Sequence, residues 1–595
     1  MKLSSQIVRF VIKGSRKRFA AVMTVALLGG LVELIGVTTI FPFLSLLSHP
    51  ELGRAQPLLR RFYDLGGFTN DRAFVFWVGV VAIVGFVVAN VYVFAKNALV
   101  TRFATGHMGS LASRLLRHYM SKPYPFFIEN HSAKIAKDIL VQSDMVANTV
   151  LLSWMTALSE SFTLAALVFL IFWVDLAAGT VIVFGLGSVV AAAYFAIRHN
   201  IYTLGQTSDD ANSRRFAYCL ETLGAVKEIK ATETEDFFCR AFEPHANEMA
   251  AAFTRTNILQ SLPNYFVQAV AASFIIGLGL YEIRRGAEFS KIVPLLSIYV
   301  VAGYRLLPSL MKFAGSISQL RQQRAVFDNV AALLEESDSL RPPPPPHDVS
   351  LQGGLELENI TFRYSSQPRA IFEGLDLRIG ERECVAIVGS SGAGKSTLVD
   401  LLLGLQMPEQ GRILIGGSPL DAALLPHWRR KVAYIPQSVF LLDGTVADNI
   451  AFGVWPERVD RTRVRRAAET ARIADLIASL PNGYRSSVGE RGSKLSGGQR
   501  QRLGIARALY REPAVLIMDE STSALDGITE SEIVKALQDL KGEMTMIIIA
   551  HRHSTVRLCD RIVLLDRGRV VDSGSYDDLR ARNPLFGRLI SDPGK

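Results

Sequence analysis

The stretch that decides the fold of the C-terminal part is Gly389-Ser390-Ser391-Gly392-Ala393-Gly394-Lys395-Ser396. It follows the apolar run Cys384-Val385-Ala386-Ile387-Val388 and opens into the helical run Thr397-Leu398-Val399-Asp400-Leu401-Leu402-Leu403, which is the context of a phosphate-binding loop. Glycines let the backbone wrap around phosphate oxygens, Lys395 supplies a positive charge to the β- and γ-phosphates, and the Ser396 hydroxyl can hold Mg²⁺. We therefore predict that residues 389 to 397 bind ATP together with Mg²⁺.

Two further motifs follow the phosphate loop in order. The first is Leu495-Ser496-Gly497-Gly498-Gln499, and the second is Val515-Leu516-Ile517-Met518-Asp519-Glu520. Asp519 ends an apolar strand and can reach Mg²⁺ through water, while Glu520 is placed to polarise an attacking water molecule. The ordered set of three motifs predicts an ATP-hydrolysing domain.

The apolar patterns around these motifs indicate a mixed α/β domain over residues 353 to 595. Residues 355 to 362 alternate like a half-buried strand, whereas residues 514 to 518 and 546 to 550 are continuously apolar, like buried strands. His551 follows the last of these runs, so it can contact the γ-phosphate from the carboxyl end of a strand. The predicted catalytic residues are Lys395, Glu520 and His551.

The N-terminal part has the composition of a membrane protein. Of the 595 residues, 49% are hydrophobic and 20% are charged, and the apolar residues before about residue 338 are gathered in long blocks. A chain of this length is expected to form at least two domains. Six blocks are long enough to cross about 30 Å of hydrocarbon as helices. They are residues 19 to 47, 73 to 100, 148 to 174, 176 to 198, 257 to 282 and 289 to 316.

These blocks predict a helical polytopic membrane domain over residues 1 to 338. Because six is even, both of its ends lie on one side, and the need for ATP places that side in the cytoplasm. The basic N-terminus resembles a signal peptide, but the apolar block after it is too long and lacks a small-residue cleavage site, so a retained first span is favoured. Residues 101 to 147 and 199 to 256 are charged and helical in pattern, which predicts cytoplasmic extensions of the spans.

Two segments outside the spans have a distinctive composition. The proline run from Pro342 to Pro346 predicts a linker over residues 339 to 352, between the membrane and ATP-binding domains. Residues 49 to 67 combine apolar side chains with Arg60 and Arg61. They form either a short amphipathic helix at the outer membrane surface or an ordinary loop.

Charge and cysteine content exclude two other classes of protein. The formal net charge is +10, but Lys and Arg flank the spans, where anionic headgroups and the positive-inside bias account for them, so no nucleic-acid partner is predicted. The cysteines show no CxxC spacing and fall in segments predicted to be cytoplasmic. We expect reduced, unpaired thiols that act as small buried hydrophobes. They are Cys219, Cys239, Cys384 and Cys559.

The C-terminal domain resembles the ATP-binding cassette (ABC) transporters, because Leu495-Ser496-Gly497-Gly498-Gln499 is the signature of that family. The resemblance implies the type IV exporter fold, with six transmembrane helices followed by a P-loop ATPase domain that has a helical subdomain. It also implies that Tyr364 stacks on adenine and that Gln437 senses Mg²⁺ and the γ-phosphate. Residues 523 to 526, which end at Asp526, would contact the opposing subunit.

The same resemblance implies a dimer, because the family closes ATP between two domains arranged head to tail and this chain has one such domain. Glu520, His551 and the signature are all present, so a homodimer with two competent sites is the simpler interpretation. A heterodimer with a second gene product stays open. The residues expected to reach the nucleotide of the opposing subunit are Leu495, Ser496, Gly497, Gly498, Gln499 and Asp526.

The membrane half resembles bacterial flippases for lipid-linked oligosaccharides. The resemblance is based on Glu33 and Pro42-Phe43 in span one, on the short outer segment, and on Tyr304-Arg305-Leu306-Leu307-Pro308-Ser309 in span six. Arg305 and Lys312 are seven residues apart, so they lie on one helix face about 10 Å from each other. A charge at mid-membrane costs on the order of 2.5 to 3.5 kcal/mol on insertion scales, which suggests that it has a use.

Two cations in a central cavity would attract a pyrophosphate headgroup while a polyprenyl tail stays in the lipid. The alternative is a snorkelling or cavity-lining charge without substrate contact. Glu33 is expected to be a partner between helices. The flippases carry further arginines in spans two and five, and this chain has none around Ala89-Asn90 and Pro263-Asn264. The identity of the headgroup therefore stays open.

The sequence thus predicts an ATP-driven exporter or flippase in a cell membrane, with a bacterial inner membrane favoured and a lipid-linked or amphipathic substrate. A peptide, lipid or drug exporter is the first alternative. An ATP-gated channel or regulatory subunit is a second one, against which the intact Glu520 and His551 argue. An importer is disfavoured, because importers usually keep membrane and ATPase parts on separate chains.

Overall fold

The computed structural model describes most of the chain. The described residues are 2–12, 14–39, 42–43, 46–47, 57–68, 70–174, 176–284, 289–339, 353–365, 367–519, 527–550 and 552–590. Within some helices only the backbone is described, and this applies to Arg305. The predicted linker over residues 339 to 352 lies almost entirely outside the described residues. The chain divides into two compact units, 1–122 with 126–340, and 123–125 with 341–595.

Helices joined by short turns make up the first unit in the residues that the structure describes. Three π-helical segments interrupt its α-helices, at Ile7–Val11, Asp138–Gln142 and Val146–Leu151. The α-helices are α1 (Lys2–Gln6), α2 (Arg16–Thr38), α3 (Pro57–Leu65), α4 (Asp71–Thr105), α5 (Met108–Met120), α6 (Tyr124–Glu129), α7 (Ser132–Lys137), α8 (Ser143–Met145), α9 (Leu152–Val174), α10 (Leu176–Gly224), α11 (Val226–Thr232), α12 (Glu235–Arg284), α13 (Phe289–Gln322) and α14 (Arg324–Ser339).

The six apolar blocks of the sequence overlap the long helices α2, α4, α9, α10, α12 and α13, and the first block continues beyond the end of α2 at Thr38. Within the described part of the chain, three helical stretches are long and apolar enough to cross a membrane: Arg16–Gly36, Asp71–Met120 and Ser132–Trp173. Helices α10 and α12 contain 49 and 50 residues, which corresponds to about 75 Å at 1.5 Å per residue. This is more than twice the ~30 Å of a hydrocarbon core, so both helices extend well beyond it.

Apolar side chains of this unit are divided between an interior cluster and an outer surface. In the interior, the rings of Phe19 on α2 and Trp154 on α9 stack with centroids 5.5 Å apart, beside the buried Phe327 of α14. On the outside, large hydrophobic residues such as Val81 and Phe94 of α4 are mostly exposed. Exposed apolar helix faces of this extent are what lipid requires.

The second unit contains two sheets and the remaining helices. Its strands are β1 (Leu355–Phe362), β2 (Phe372–Ile379), β3 (Cys384–Gly389), β4 (Gln410–Ile415), β5 (Ser418–Pro419), β6 (Val432–Ile435), β7 (Val515–Asp519), β8 (Thr545–Ile549), β9 (Arg561–Asp566) and β10 (Arg569–Gly574). Its α-helices are α15 (Lys395–Leu402), α16 (Leu425–Lys431), α17 (Val446–Ile450), α18 (Arg461–Thr470), α19 (Ala474–Ser479), α20 (Gly497–Tyr510), α21 (Gly527–Leu540), α22 (His553–Leu558), α23 (Tyr576–Arg582) and α24 (Pro584–Ile590).

The larger sheet has the strand order β10-β9-β3-β8-β7-β6, and the strands from β9 to β6 are parallel. The smaller sheet is antiparallel, with the order β2-β1-β4-β5. Residues alternate between the two faces of a strand, so β3 contributes Cys384 and Ala386 to one buried cluster and Val385 and Ile387 to the other. Both faces of the larger sheet are therefore covered, which explains why the strand is continuously apolar.

The cysteines do not all follow the sequence-based expectation. All four are free thiols, as expected, and Cys384 and Cys559 are buried with their sulfur atoms 3.3 Å apart. Cys219 on α10 and Cys239 on α12 are exposed, so the expectation of small buried hydrophobes is wrong for these two residues. Both lie on the charged parts of long helices, where a thiol on the outer helix face is not covered by a hydrophobic core.

Candidate nucleotide site

The phosphate loop begins where β3 ends at Gly389 and closes where α15 begins at Lys395. Gly394 adopts φ +100°, and a Cβ atom there would come within 2.8 Å of the Phe372 ring. A Cβ atom on Gly389 would lie 2.2 Å from the carbonyl oxygen of Leu565. Side chains at these two positions would collide with packed neighbours, so glycine is needed for the loop to adopt this conformation.

The side chains of the loop are held by local hydrogen bonds. Lys395 Nζ donates to the carbonyl oxygens of Gly389 at 2.8 Å and Ser390 at 3.0 Å. The Ser390 hydroxyl donates to the Asp566 carboxylate on β9 over 2.9 Å. The ammonium group is therefore turned over the loop, and the loop itself is anchored to the neighbouring strand.

Acidic and phenolic groups gather beside the loop, at the carboxyl ends of the parallel strands. Asp519 ends β7, and Tyr434 on the neighbouring strand β6 lies close to its carboxylate. Burial, and to a lesser degree the charge of Asp519, raises the pKa of Tyr434. Burial, with a further contribution from Asp519, also raises the pKa of Asp400 on α15 to about 6. Tyr434 and Asp400 are site residues that the sequence analysis did not identify.

Tyr364, the predicted adenine-stacking residue, lies next to the same helix. Its hydroxyl is 3.3 Å from the Thr397 hydroxyl, and its ring meets Phe362 edge-on with centroids 5.1 Å apart. Tyr364, Thr397 and Lys395 are thus brought together around the start of α15. Gln437 follows β6 by two residues, and its side chain is exposed.

The signature motif forms the N-terminus of α20. Ser496 is its N-cap, and Gln499 completes a capping box: the Ser496 hydroxyl accepts from the Gln499 amide, and the Gln499 side chain accepts from the Ser496 amide over 2.9 Å. Leu495 and Gly498 are buried, whereas Ser496 and Gly497 are exposed in the single chain. The start of this helix therefore presents its polar end outward.

Helix α20 is clamped to the segment that follows Gln437. Arg507 donates three hydrogen bonds, to the carbonyl oxygens of Phe440 (2.7 Å) and Asn449 (2.9 Å) and to the Asn449 side-chain oxygen (2.9 Å). Its guanidinium carbon also lies 4.5 Å from the centroid of the Phe452 ring. Burial lowers the pKa of Arg507 to about 10.

Several predicted site residues lie outside the described residues. These are Glu520, Asp526 and His551. The described residues before them end at Asp519 on β7 and at Ala550 after β8, and these two strands pair in parallel. Of the two predicted substrate contacts on α13, Lys312 has an exposed side chain and that of Arg305 is not described.

The helical unit also contains a cluster of charged side chains on α2, α4 and α9. Glu33 on α2 accepts a hydrogen bond from Lys96 on α4 at 3.4 Å, and Glu160 on α9 lies 3.7 Å from the same ammonium group. The expectation that Glu33 is a partner between helices is confirmed. Lys96 and Glu160 were not identified from the sequence, although a charge inside an apolar block is the signal that could have found them.

Comparisons with known proteins agree with this architecture. The family description "ABC transporter" matches residues 372–523, and "ABC transporter transmembrane region" matches residues 39–301. An ATP-dependent lipid A-core flippase of Cupriavidus metallidurans is 31% identical over 506 residues, covering 83% of each chain. The chain belongs to the ABC transporter family. A flippase of the same name from Ralstonia nicotianae is 30% identical to this ABC transporter over 533 residues, covering 88% of each chain.

A solved structure extends the comparison to nearly the whole molecule. It is that of a bacterial Atm1-family ABC exporter with ATP bound, which matches with a TM-score of 0.80 and 26% identity over 97% of this chain and 98% of the other. This ABC transporter therefore has the type IV exporter fold. It binds ATP and couples ATP hydrolysis to export through a transmembrane domain.

Proposed function

We propose that this ABC transporter is a flippase that uses ATP to move a phosphorylated glycolipid across the bacterial inner membrane as a homodimer. The observation that carries the proposal is the match to lipid A-core flippases at 30 to 31% identity over 83 to 88% of the chain. Within this class, the more specific substrate we propose is a lipid-linked oligosaccharide. Both kinds of lipid join hydrocarbon chains to a sugar headgroup that carries phosphate.

The phosphate loop is proposed to bind the triphosphate of ATP. Its glycine-rich backbone and the adjoining N-terminus of α15 would offer backbone amides and a favourable dipole to phosphate oxygens. The Lys395 ammonium, which bonds the loop's own carbonyls, can exchange them for the β- and γ-phosphates and neutralise charge that develops during transfer. Tyr364, whose hydroxyl lies beside that of Thr397, would stack on the adenine ring.

The donors beside the loop fit a magnesium ion. Mg²⁺ prefers oxygen ligands and keeps several waters, and the Ser396 hydroxyl, the Asp519 carboxylate and the Gln437 amide oxygen are donors of this kind. A bound Mg²⁺ would offset negative charge on the phosphates. Tyr434 lies beside the Asp519 carboxylate and would help to orient it as a ligand.

Hydrolysis is assigned to the two positions that follow adjacent parallel strands. Glu520, directly after Asp519, would orient and polarise the attacking water, and His551, directly after Ala550, would contact the γ-phosphate. Ligand groups at the carboxyl ends of neighbouring parallel strands share one edge of the sheet. This common edge supports their assignment to one site.

A homodimer is proposed because the signature presents an exposed polar helix end. The exposed Ser496 and Gly497 begin α20, a helix of 14 residues whose N-terminal amides suit an anion. With Gln499 and Asp526, they would complete the nucleotide site of the opposing subunit. Each site then contains residues of both chains, so ATP binding draws the two copies together.

The headgroup is assigned to α13, which carries Arg305 and Lys312 seven residues apart. Two cations about 10 Å apart on one helix face suit a phosphate or pyrophosphate group. Lys312 is exposed in the single chain, so its charge is accessible to a ligand. Hydrocarbon chains of the substrate would stay in the lipid beside the exposed apolar helix faces.

The test is transport by the full chain in sealed vesicles. ATP-dependent transfer between leaflets is measured for a lipid A-core glycolipid, a polyprenyl-pyrophosphate oligosaccharide and a hydrophobic peptide. Loss of one charge-assisted contact is expected to weaken binding about tenfold or more, so Lys312→Gln should slow glycolipid transfer by a similar factor. Lys227→Gln, which changes an exposed lysine on α11, is the matched control.

The outcomes separate the two levels of the proposal. Transfer of the polyprenyl-pyrophosphate oligosaccharide in preference to the lipid A-core glycolipid supports the specific substrate. The reverse preference rejects it and retains the phosphorylated glycolipid class. Transfer of the peptide alone, with neither glycolipid moved, would overturn the proposed function.

A further inference from the structure

The cluster of Glu33, Lys96 and Glu160 lies deep among three helices of the membrane unit. The three residues are 5%, 1% and 2% exposed, and they come from α2, α4 and α9. Lys96 Nζ lies 3.4 Å from Glu33 Oε1 and 3.7 Å from Glu160 Oε1. A Cβ atom at Gly29 would lie 2.6 Å from Lys96 Cδ, so α2 leaves room for the lysine stem by having glycine there.

The charges of this cluster do not balance. Two carboxylates and one ammonium group carry a net charge of −1 when all are ionised. Among the described residues, Lys96 is the cation that lies within 4 Å of these two carboxylates. An uncompensated charge in a buried site is strongly disfavoured, and a group in this position usually becomes neutral by binding a proton.

In the part of the chain that the structure describes, the surrounding groups do not supply the missing charge. On α9, the Ser159 hydroxyl donates to the Ala26 carbonyl at 3.5 Å, and the Thr163 hydroxyl donates to the Ser159 carbonyl at 3.4 Å. On α4, the Tyr92 hydroxyl donates to the Val25 carbonyl at 2.9 Å. On α13, Lys312 has an exposed side chain. The hydroxyls thus face backbone carbonyls and not the carboxylates.

The two carboxylates differ in their contacts. Glu33 accepts a hydrogen bond from the Lys96 ammonium, whereas Glu160 is beyond hydrogen-bond distance from it. Glu160 Oε2 is fully buried and has no hydrogen-bond partner among the described residues. An unpaired buried oxygen costs much more free energy on an ionised carboxylate than on a neutral carboxyl group. Glu160 is therefore the group that gains more from a proton.

We propose that this cluster is a proton-binding site, in which Glu160 takes one proton from water and becomes a neutral carboxylic acid. The net charge then changes from −1 to 0, with Glu33 and Lys96 remaining as an ion pair. The bound proton allows α2, α4 and α9 to pack around the cluster without a buried net charge. This inference goes beyond transport and does not depend on which lipid is carried.

The experiment is infrared spectroscopy of the full-length protein in lipid nanodiscs. Glutamate labelled with ¹³C at the side-chain carboxyl shifts the carbonyl band of a protonated glutamic acid and leaves that of aspartic acid unchanged. At neutral pH, the wild type should show a labelled carboxylic-acid band, and Glu160→Gln should lose it. Glu243→Gln, which changes an exposed glutamate on α12, should retain it.

A second variant tests whether charge balance holds the proton. Glu33→Gln leaves one ammonium and one carboxylate, so Glu160 should ionise against Lys96 and the band should be lost although Glu160 is unchanged. A band that persists in Glu33→Gln would overturn the charge-balance argument. This variant and the labelled wild type decide the matter even if Glu160→Gln does not assemble.

The same preparation tests whether a proton or a sodium ion balances the charge of the cluster. If the wild type shows no protonated glutamic acid at neutral pH, and its melting temperature rises with Na⁺ at constant ionic strength, a sodium ion balances the cluster and the proton site is refuted. Absence of the band without a sodium effect also refutes it. Persistence of the band when Na⁺ is exchanged for K⁺ supports the proton.

Discussion

Replacement of Arg507 by lysine tests how the signature helix is fixed in the ATPase unit. The guanidinium group donates to Phe440, to the backbone of Asn449 and to its side chain, and Asn449 is completely buried. Lysine keeps the charge but replaces a rigid fork by a single flexible ammonium group, so we expect two of the three contacts to be lost. A hydrogen bond to a charged group contributes about 1.5 to 3 kcal/mol. Losing two of them should cost about 3 kcal/mol, the low end of that range, because Phe440 is exposed and the Asn449 side-chain oxygen also accepts from the Leu442 amide.

For a unit of this size, 1 kcal/mol corresponds to a shift of about 2 to 4 °C in melting temperature. Arg507→Lys should therefore lower the thermal transition of the ATPase unit by about 6 to 12 °C. Scanning calorimetry of the full chain in lipid measures this transition. Arg511→Lys makes the same change four residues later, at an exposed position, and should have almost no effect. Equal shifts for the two variants would refute the clamp.

Three other predictions concern the nucleotide site. Glu520→Gln should abolish ATP turnover and leave ATP binding intact; hydrolysis at the wild-type rate would contradict its role. The pKa of Asp400 is raised from 3.8 to about 6, so its stabilising contribution is complete below pH 3.8 and is lost as the pH rises through about 6. Asp400→Asn should thus stabilise the protein at neutral pH by about 1 kcal/mol after allowance for solvent screening. Melting temperatures measured over a pH series should show no gain near pH 4. A gain that does not depend on pH would contradict this prediction. Gly498→Ala places a Cβ atom 2.1 Å from the Thr529 methyl carbon and should lower stability by about 1 to 3 kcal/mol. Adding Thr529→Ser removes that methyl group and should restore part of the loss in thermal melts. No recovery would argue against this contact.

Motifs with a fixed local context were predictable from the sequence. The buried strand before the phosphate loop is β3, and the alternating run over residues 355 to 362 is β1. In both, the pattern of apolar residues follows directly from which faces of the strand are covered. Ser496 and Gln499 likewise have the spacing of a capping box, which is local to one helix turn.

Contacts between distant parts of the chain were not predictable. Lys96 stands alone in an apolar block, so the sequence indicates that it needs a partner, but Glu33 and Glu160 lie 63 and 64 residues away along the chain. Tyr434 reaches Asp519 because β6 and β7 are adjacent in the sheet, and strand order is not readable from one sequence. The positions of such partners depend on tertiary packing.

The central claim is that two copies of this chain share each nucleotide site, and subunit mixing tests it most directly. Lys395→Ala removes the phosphate-loop cation, and Ser496→Arg obstructs the signature, so each variant alone should be inactive. Mixed dimers should regain one intact site, because the unaltered loop of one chain meets the unaltered signature of the other. With random assembly, about one site in four becomes intact, and ATPase activity and lipid transfer should return together. If the mixture stays as inactive as the separate variants, or if either variant alone retains full activity, the shared site is contradicted.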